Sequence, residues 1–255
     1  MARVSTVIII LLLAAGALAQ EQAPEAVTVM VPVVGRVWGQ SGAQWRTDVE
    51  LVNDTGAVES VTLSLPTDAS QSFISFDIPP HGAQRFGDIV GQAFGLDRAL
   101  SPLMVQTLGK RSVRVAANVY AVQGDKVTRP EPIAVNYGDA FFPLRALYGL
   151  SFSDSFRTNV GFANLNDAPT LFTIALQKIN GRNIAVTQLV VPANTLWHAS
   201  IQSLFPVITK GDDFSILIET GARDTYVYAS VIENATNDAH FIQPVIATPS
   251  LTPSQ

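Results

Sequence analysis

Polar and apolar residues alternate with a period of two along most of the chain. Val49, Leu51 and Asn53 take turns with Asp48, Glu50 and Val52, and Phe172, Ile174 and Leu176 with Leu171, Thr173 and Ala175. This period sends successive side chains to opposite faces of a strand. Residues 214–219 and 225–232 read as two more apolar strands. Turn formers separate such segments, as in Asn-Asp-Thr-Gly at 53–56 and Asn-Asp-Ala-Pro at 166–169. The pattern predicts an antiparallel all-β protein. Helical signals are confined to two single turns, 88–94 capped by Asp88 and 200–205 capped by Ser200.

The pattern also recurs. At an offset of 111 residues, segment 45–65 aligns with 156–176, and seven of the 21 positions are identical. They include Arg46/Arg157, Thr47/Thr158, Val49/Val160 and Asn53/Asn164. Downstream, Ile78-Pro79 aligns with Val191-Pro192, 115–119 with 227–231, and Pro132 with Pro244. The repeat length, about 110 residues, is that of one immunoglobulin-like sandwich with about seven strands. The expected organisation is two tandem immunoglobulin-like antiparallel β-sandwich domains related by internal duplication. The first covers 28–136 and the second 139–248, with a hinge at 136–138 and tails at 20–27 and 249–255.

Residues 1–19 break the pattern. Arg3 precedes an apolar run at 7–15, and Ala17-Leu18-Ala19 offers a small-x-small cleavage site. This reads as a secretory signal peptide, too short to span a bilayer. No other apolar run reaches spanning length, so no membrane span is expected after signal cleavage. Removing Arg3 takes the net charge from −5 to −6.

The 255 residues are 47% hydrophobic, only 15% charged, and include no cysteine. Zero cysteines exclude thiol nucleophiles, Cys-ligated zinc and iron–sulfur clusters. An exported chain without disulfides must hold itself by burial alone. Together these features point to a bacterial exported protein, periplasmic or extracellular. The negative charge and the lack of a basic stripe argue against nucleic-acid binding.

Candidate chemistry is sparse. The three histidines, His81, His198 and His240, show no metal-ligand spacing, and no nucleophile elbow is present. Arg46 and Arg157 each follow an aromatic residue and open an alternating strand. They could hold a ligand carboxylate bidentately, or they could fix a loop end. Asn53 and Asn164 close the same strand, where an Asx-turn is expected. Asn164, Asp167, Glu233 and Asp238 offer oxygens for Ca²⁺ if their two loops share one end of the sandwich. Among the aromatics, Trp197 has no aromatic counterpart in the first repeat and is the candidate for an exposed contact with a glycan.

The segment W/F-R-T-[DN]-V-x-x-x-N, at 45–53 and 156–164, and the later Y-A-S-V-I-E-N-x-x-x-D-x-x-F-I-x-P at 228–244 carry a resemblance. The first repeat keeps only Ala116-Ala117-Asn118-Val119-Tyr120 of the second segment. The chain resembles a group of bacterial exported proteins built from tandem β-sandwich repeats, for which no biochemical activity is established. The resemblance implies fold and export, not a reaction. The expected role is a non-catalytic binding or structural protein of the cell envelope or extracellular space, with a protein or glycan partner. The alternatives are a carbohydrate- or calcium-binding module and a hydrolase whose site is invisible in sequence.

Overall fold

A computed structural model describes residues 26–67, 70–108, 112–136, 143–178 and 180–247. The signal segment, most of the N-terminal tail, Tyr137 and Gly138 of the hinge, and the C-terminal tail lie outside the described residues. The protein is all-β, with antiparallel sheets stacked in a sandwich-like manner.

The N-terminal half runs β1 (Ala26–Trp38), β2 (Gln44–Asn53), β3 (Glu59–Thr67), β4 (Ser70–Ile78), β5 (Ala83–Phe86), α1 (Ile89–Gln92), β6 (Ala99–Leu108), β7 (Val113–Gln123), β8 (Lys126–Val127) and β9 (Glu131–Pro132). The C-terminal half runs β10 (Leu144–Phe152), β11 (Phe156–Asn164), β12 (Thr170–Gln177), β13 (Asn183–Val191), β14 (Thr195–Ser200), α2 (Ile201–Leu204), β15 (Gly211–Glu219), β16 (Thr225–Glu233), β17 (Ala239–Ile242) and β18 (Val245–Ile246). The two helices are single turns, as the sequence predicts. Asp88 accepts from the Gly91 amide and Ser200 from the Ser203 amide.

In the C-terminal half the strands form two sheets, β13-β12-β15-β10-β18 and β14-β11-β16-β17. The N-terminal half repeats this pairing, but β1 is 13 residues long where β10 has nine. Its tip runs past β6 and pairs with β2, which welds both layers into one continuous sheet. Each half buries its own apolar cluster. One is built on Val31, Leu51, Leu63 and Leu103, the other on Leu147, Phe162, Phe172 and Ile216.

Matched residues occupy matched registers. Arg46 and Arg157 lie opposite Tyr120 and Ile232, Val49 and Val160 opposite Ala117 and Ala229, and Asn53 and Asn164 opposite Val113 and Thr225. β1 slips register once, between Val31 and Val34, and β10 twice, between Leu147 and Leu150 and between Leu150 and Phe152. One alignment needs correction. Pro132 lies opposite Asn118, and the corresponding place opposite Ser230 belongs to Phe241, not Pro244. A three-residue difference in loop length before the last strand moved the register.

The structure gives the repeated Arg-Thr-x-Val-x-x-x-Asn a physical meaning. Val49 and Val160 are core residues. Thr47 Oγ1 accepts from the Gly35 amide at 3.0 Å, and Thr158 Oγ1 accepts from the Ser151 amide at 3.1 Å. Each threonine thereby satisfies an amide of an irregular stretch of the opening strand, Gly35 just past the slip of β1 and Ser151 within the second slip of β10. Asn53 and Asn164 are fully buried. Asn53 Nδ2 donates to the carbonyls of Ala57, Ile78 and Pro79 at 2.7–3.1 Å, and Asn164 Nδ2 to those of Ala168, Val191 and Pro192 at 2.9–3.1 Å. Two hydrogens serve three carbonyls, so at least one is shared. The Oδ1 atoms accept from the amides of Thr55 and Asn166. One side chain thus closes its own Asx-turn and ties it to the turn that ends β4 or β13.

Replacing Asn164 by Ala would orphan three carbonyls and an amide in a buried site, each costing about 1–3 kcal/mol if unsatisfied. With partial rehydration, Asn164→Ala is expected to lose about 3–5 kcal/mol of unfolding free energy in urea titration. A loss below about 1 kcal/mol would show that the amide network is not what holds these loops.

Candidate functional site

The first surprise lies in the outward face of β11. On β2 that face alternates as expected and carries Glu50 and Val52, both part-exposed. On β11 the same places hold Gly161 and Ala163, and both are buried. A strand buried on both faces has something packed on its outside, and here it is the N-terminal half. Strand β6 lies against β14, β1 against β16 and β9 against β17.

Three cross-strand neighbours form the centre of this seam. Gly161 lies between His198 on β14 and Tyr228 on β16. A Cβ on Gly161 would stand 2.2 Å from the Tyr228 ring, so only glycine lets the ring lie flat across β11. The phenol then reaches His198, with Oη 2.8 Å from Nδ1. On its other side Tyr228 stacks on Phe241, with centroids 5.3 Å apart and planes at 18°. Phe241 in turn packs against the core of the N-terminal half.

Polar clasps flank the aromatics. Glu131 Oε1 accepts from the Phe241 amide at 3.0 Å and meets His240 Nδ1 at 2.9 Å. Asp238 Oδ1 accepts from the Arg129 amide at 3.1 Å. Beside the aromatic row the halves do not touch completely. They leave a cavity of about 870 Å³, walled by Val37, Trp38 and Leu100 from one side and by Leu196, Tyr228 and Ile232 from the other. Trp45 also lines it, with its indole laid over Gly39, and Trp38 is 68% exposed.

His198 lines the same cavity. Burial holds its imidazole well below the ordinary 6.5, at about 4, because charge is poorly solvated there. Burial likewise pushes the Tyr228 phenol far above its usual value, so it stays protonated. A phenol O–H donating to Nδ1 leaves the ring hydrogen on Nε2. That nitrogen has no protein partner among the described residues.

The site residues expected from sequence lie elsewhere. Arg157 donates to the side-chain oxygens of Asn234 at 3.0 Å and Asn237 at 2.8 Å, both in the turn between β16 and β17. Arg46 has other partners: it donates twice to Gln44 Oε1, and its Nε sits 3.7 Å from Asp88. Asp88 also receives Arg36 at 2.7 Å while capping α1, and its own amide donates to Asp48. Asp48 bonds Tyr120, whose hydroxyl is pushed up to about 12, mainly by burial and then by this carboxylate. Both arginines are half-buried and fasten a strand end to neighbouring side chains. Trp197 turns inward, edge-on to Phe162 at 5.9 Å, and packs against the core rather than lining the cavity.

The calcium site is overturned by strand direction. β11 and β16 are antiparallel, with Phe156 opposite Glu233 and Asn164 opposite Thr225. The loop after β11 and the turn after β16 therefore lie at opposite ends of the ladder, about 26 Å apart at ~3.3 Å per residue. Asn164 holds its three carbonyls, Asp167 Oδ1 accepts from Asn194, Glu233 Oε2 from Thr236, and Asp238 from Arg129. Each closes its own turn or clasps the other half. Among the described residues no group of three metal-ligating side chains converges.

No protein-family model matches the chain, and no curated protein matches it.

The aromatic row and His198 yield two measurable consequences. Gly161→Ala must displace Tyr228, and overpacking of this kind costs about 1–3 kcal/mol. It should lower the melting temperature and expose the tyrosine to solvent in near-ultraviolet spectra, and an unchanged spectrum would contradict the packing. The unfolded chain protonates His198 near pH 6.5, the folded chain only near 4. The stabilisation is therefore complete above 6.5 and is lost as pH falls towards 4, by roughly 2–3 kcal/mol. His198→Gln should flatten the pH dependence of stability across that window. An identical slope in both proteins would show that His198 titrates normally.

Proposed function

We propose that this chain is a non-catalytic, exported binding or structural protein of the bacterial envelope or extracellular space. It is built from two tandem immunoglobulin-like sandwiches that arose by duplication, and it binds its ligand in the cavity between them. The cavity carries the reading. Ligand sites favour domain interfaces and are mostly apolar with a few convergent polar groups, and this one is lined by Trp38, Trp45, Leu100, Tyr228 and His198. Duplication is supported by the shared registers and by the paired Asn53 and Asn164 networks. The partners of the histidines also favour binding over hydrolysis: His198 bonds Tyr228 and His240 bonds Glu131. A carbohydrate ligand is the second reading, because exposed Trp38 at the cavity offers a stacking surface.

The two copies differ in ways that suit a closed pair. Where the C-terminal half carries Gly161, His198 and Tyr228, the N-terminal half carries Glu50, Arg85 and Ala116, the last two exposed. Where the N-terminal half receives its partner with Val33 and Leu100, the C-terminal half carries exposed Gly149 and Asp213. The free face of the N-terminal half is polar around Glu50 and Arg85, whereas the C-terminal half leaves Tyr148, Leu171, Val186 and Val190 exposed.

A ligand that binds only the folded protein raises its melting temperature. Envelope extract fractions that stabilise the wild-type protein are expected not to stabilise Leu100→Trp, which fills the cavity. If every active fraction stabilises both proteins equally, the ligand binds elsewhere and the reading fails.

A further inference from the structure

The cavity has a charge signature that narrows what it can hold. Its lining includes a single charged residue, Arg98, and no carboxylate. In a chain with net charge −5, a cleft of positive sign alone is not a sample of the surface. Arg98 is exposed in the bend just before β6 and has no hydrogen-bond or ion-pair partner among the described residues, unlike Arg36, Arg46 and Arg157. The lining also holds the side chains of Thr47, Ser72, Asn159 and Ser230, and His198 Nε2, which carries hydrogen when the Tyr228 hydroxyl donates to Nδ1. Arg98 and that Nε2 are donors. Around them stand Val33, Val37, Leu100, Leu196 and Ile232, together with the indoles of Trp38 and Trp45.

We infer that the cavity between the halves binds a small apolar monoanion, a carboxylate with an aliphatic or aromatic body, whose acid group is held by Arg98 and whose body lies against the Leu100 and Trp38 wall. This deepens the binding reading above and rests on it. A guanidinium suits the acid because it offers two parallel donors to two oxygens. A neutral imidazole supplies a further donor and adds no charge to be neutralised, so one negative charge is matched by one positive charge. The apolar walls supply affinity in proportion to the surface they cover. A polysaccharide would set much of its hydroxyl-rich surface against valine, leucine and isoleucine, with only Thr47, Ser72, Asn159 and Ser230 to meet it, and unpaired buried hydroxyls are costly.

Calorimetric titration of the full chain with dodecanoate, below its micelle concentration, tests this against two controls, methyl dodecanoate and cellohexaose. Dodecanoate should bind and methyl dodecanoate should bind at least roughly tenfold more weakly, the loss that goes with one charge-assisted contact. Arg98→Gln should weaken dodecanoate by a similar factor without changing the melting temperature, because that side chain is exposed and unpartnered. Leu100→Trp should abolish binding. Dodecanoate bound equally by the wild-type protein and Arg98→Gln would overturn the inference. So would tighter binding of the ester or of cellohexaose; if Leu100→Trp blocked that binding too, the cavity would remain the binding site and only the ligand class would be wrong. No heat with any of the three overturns it as well, and the extract experiment then judges the wider reading separately.

Discussion

A primary amide buried in a β-sandwich must find every partner it lost with water, and this requirement organises both halves of the protein. Asn53 and Asn164 are inaccessible to solvent, and each gathers three carbonyls from two different turns. The carbonyls of Ile78 and Pro79, or of Val191 and Pro192, stand just where a strand stops and its ladder no longer serves them. Without the amide they would be buried and unsatisfied. The register of β2 against β7, and of β11 against β16, brings the asparagine to the place where those turns can close on it. The threonine six residues earlier does the corresponding work towards the opening strand. Between them sits the core valine. A nine-residue stretch thus fixes a strand, two turns and the contact between layers.

On this common frame the two halves are specialised in opposite senses. The outward face of β11 has Asn159 and Gly161 where β2 has Asp48 and Glu50, and Tyr228 crosses Gly161 to His198 and stacks on Phe241. The N-terminal half answers with Val33, Val37 and Leu100, and with Glu131 and the Arg129 amide as clasps. Aromatic and aliphatic surfaces of unequal shape leave a gap, and the gap is the cavity. The pair is therefore one body with an apolar seam and a few polar contacts across it.

Much of the fold was legible because it follows from local rules. Period-two alternation marks strands, Asp88 and Ser200 start the two helical turns, and Asn53 and Asn164 were readable as turn formers. What the sequence hides is which loops share an end. The calcium hypothesis placed 164–167 beside 233–238, whereas the antiparallel ladder puts them at opposite ends. The arginines show the same limit, since Arg46 and Arg157 align but find different partners in differently built loops. The seam leaves its trace where the aligned halves differ. Glu50 stands against Gly161, Arg85 against His198 and Ala116 against Tyr228, so a face with two charges becomes one that a phenol ring covers. Trp197, singled out because it differs from Gln84, faces the core, and its exposure could not be read from its identity.

The claim that buried side-chain acceptors pin the turns and strand ends can be measured amide by amide. Native-state hydrogen exchange should find the amides of Thr55 and Asn166, which lie in turns, protected nearly as well as core strand amides, because Asn53 and Asn164 hold them. The Gly35 and Ser151 amides should behave alike, each bound to a threonine hydroxyl. Exchange of these four at the rates of open loops, while β2 and β11 stay protected, would contradict the account and leave the core alone as the source of order.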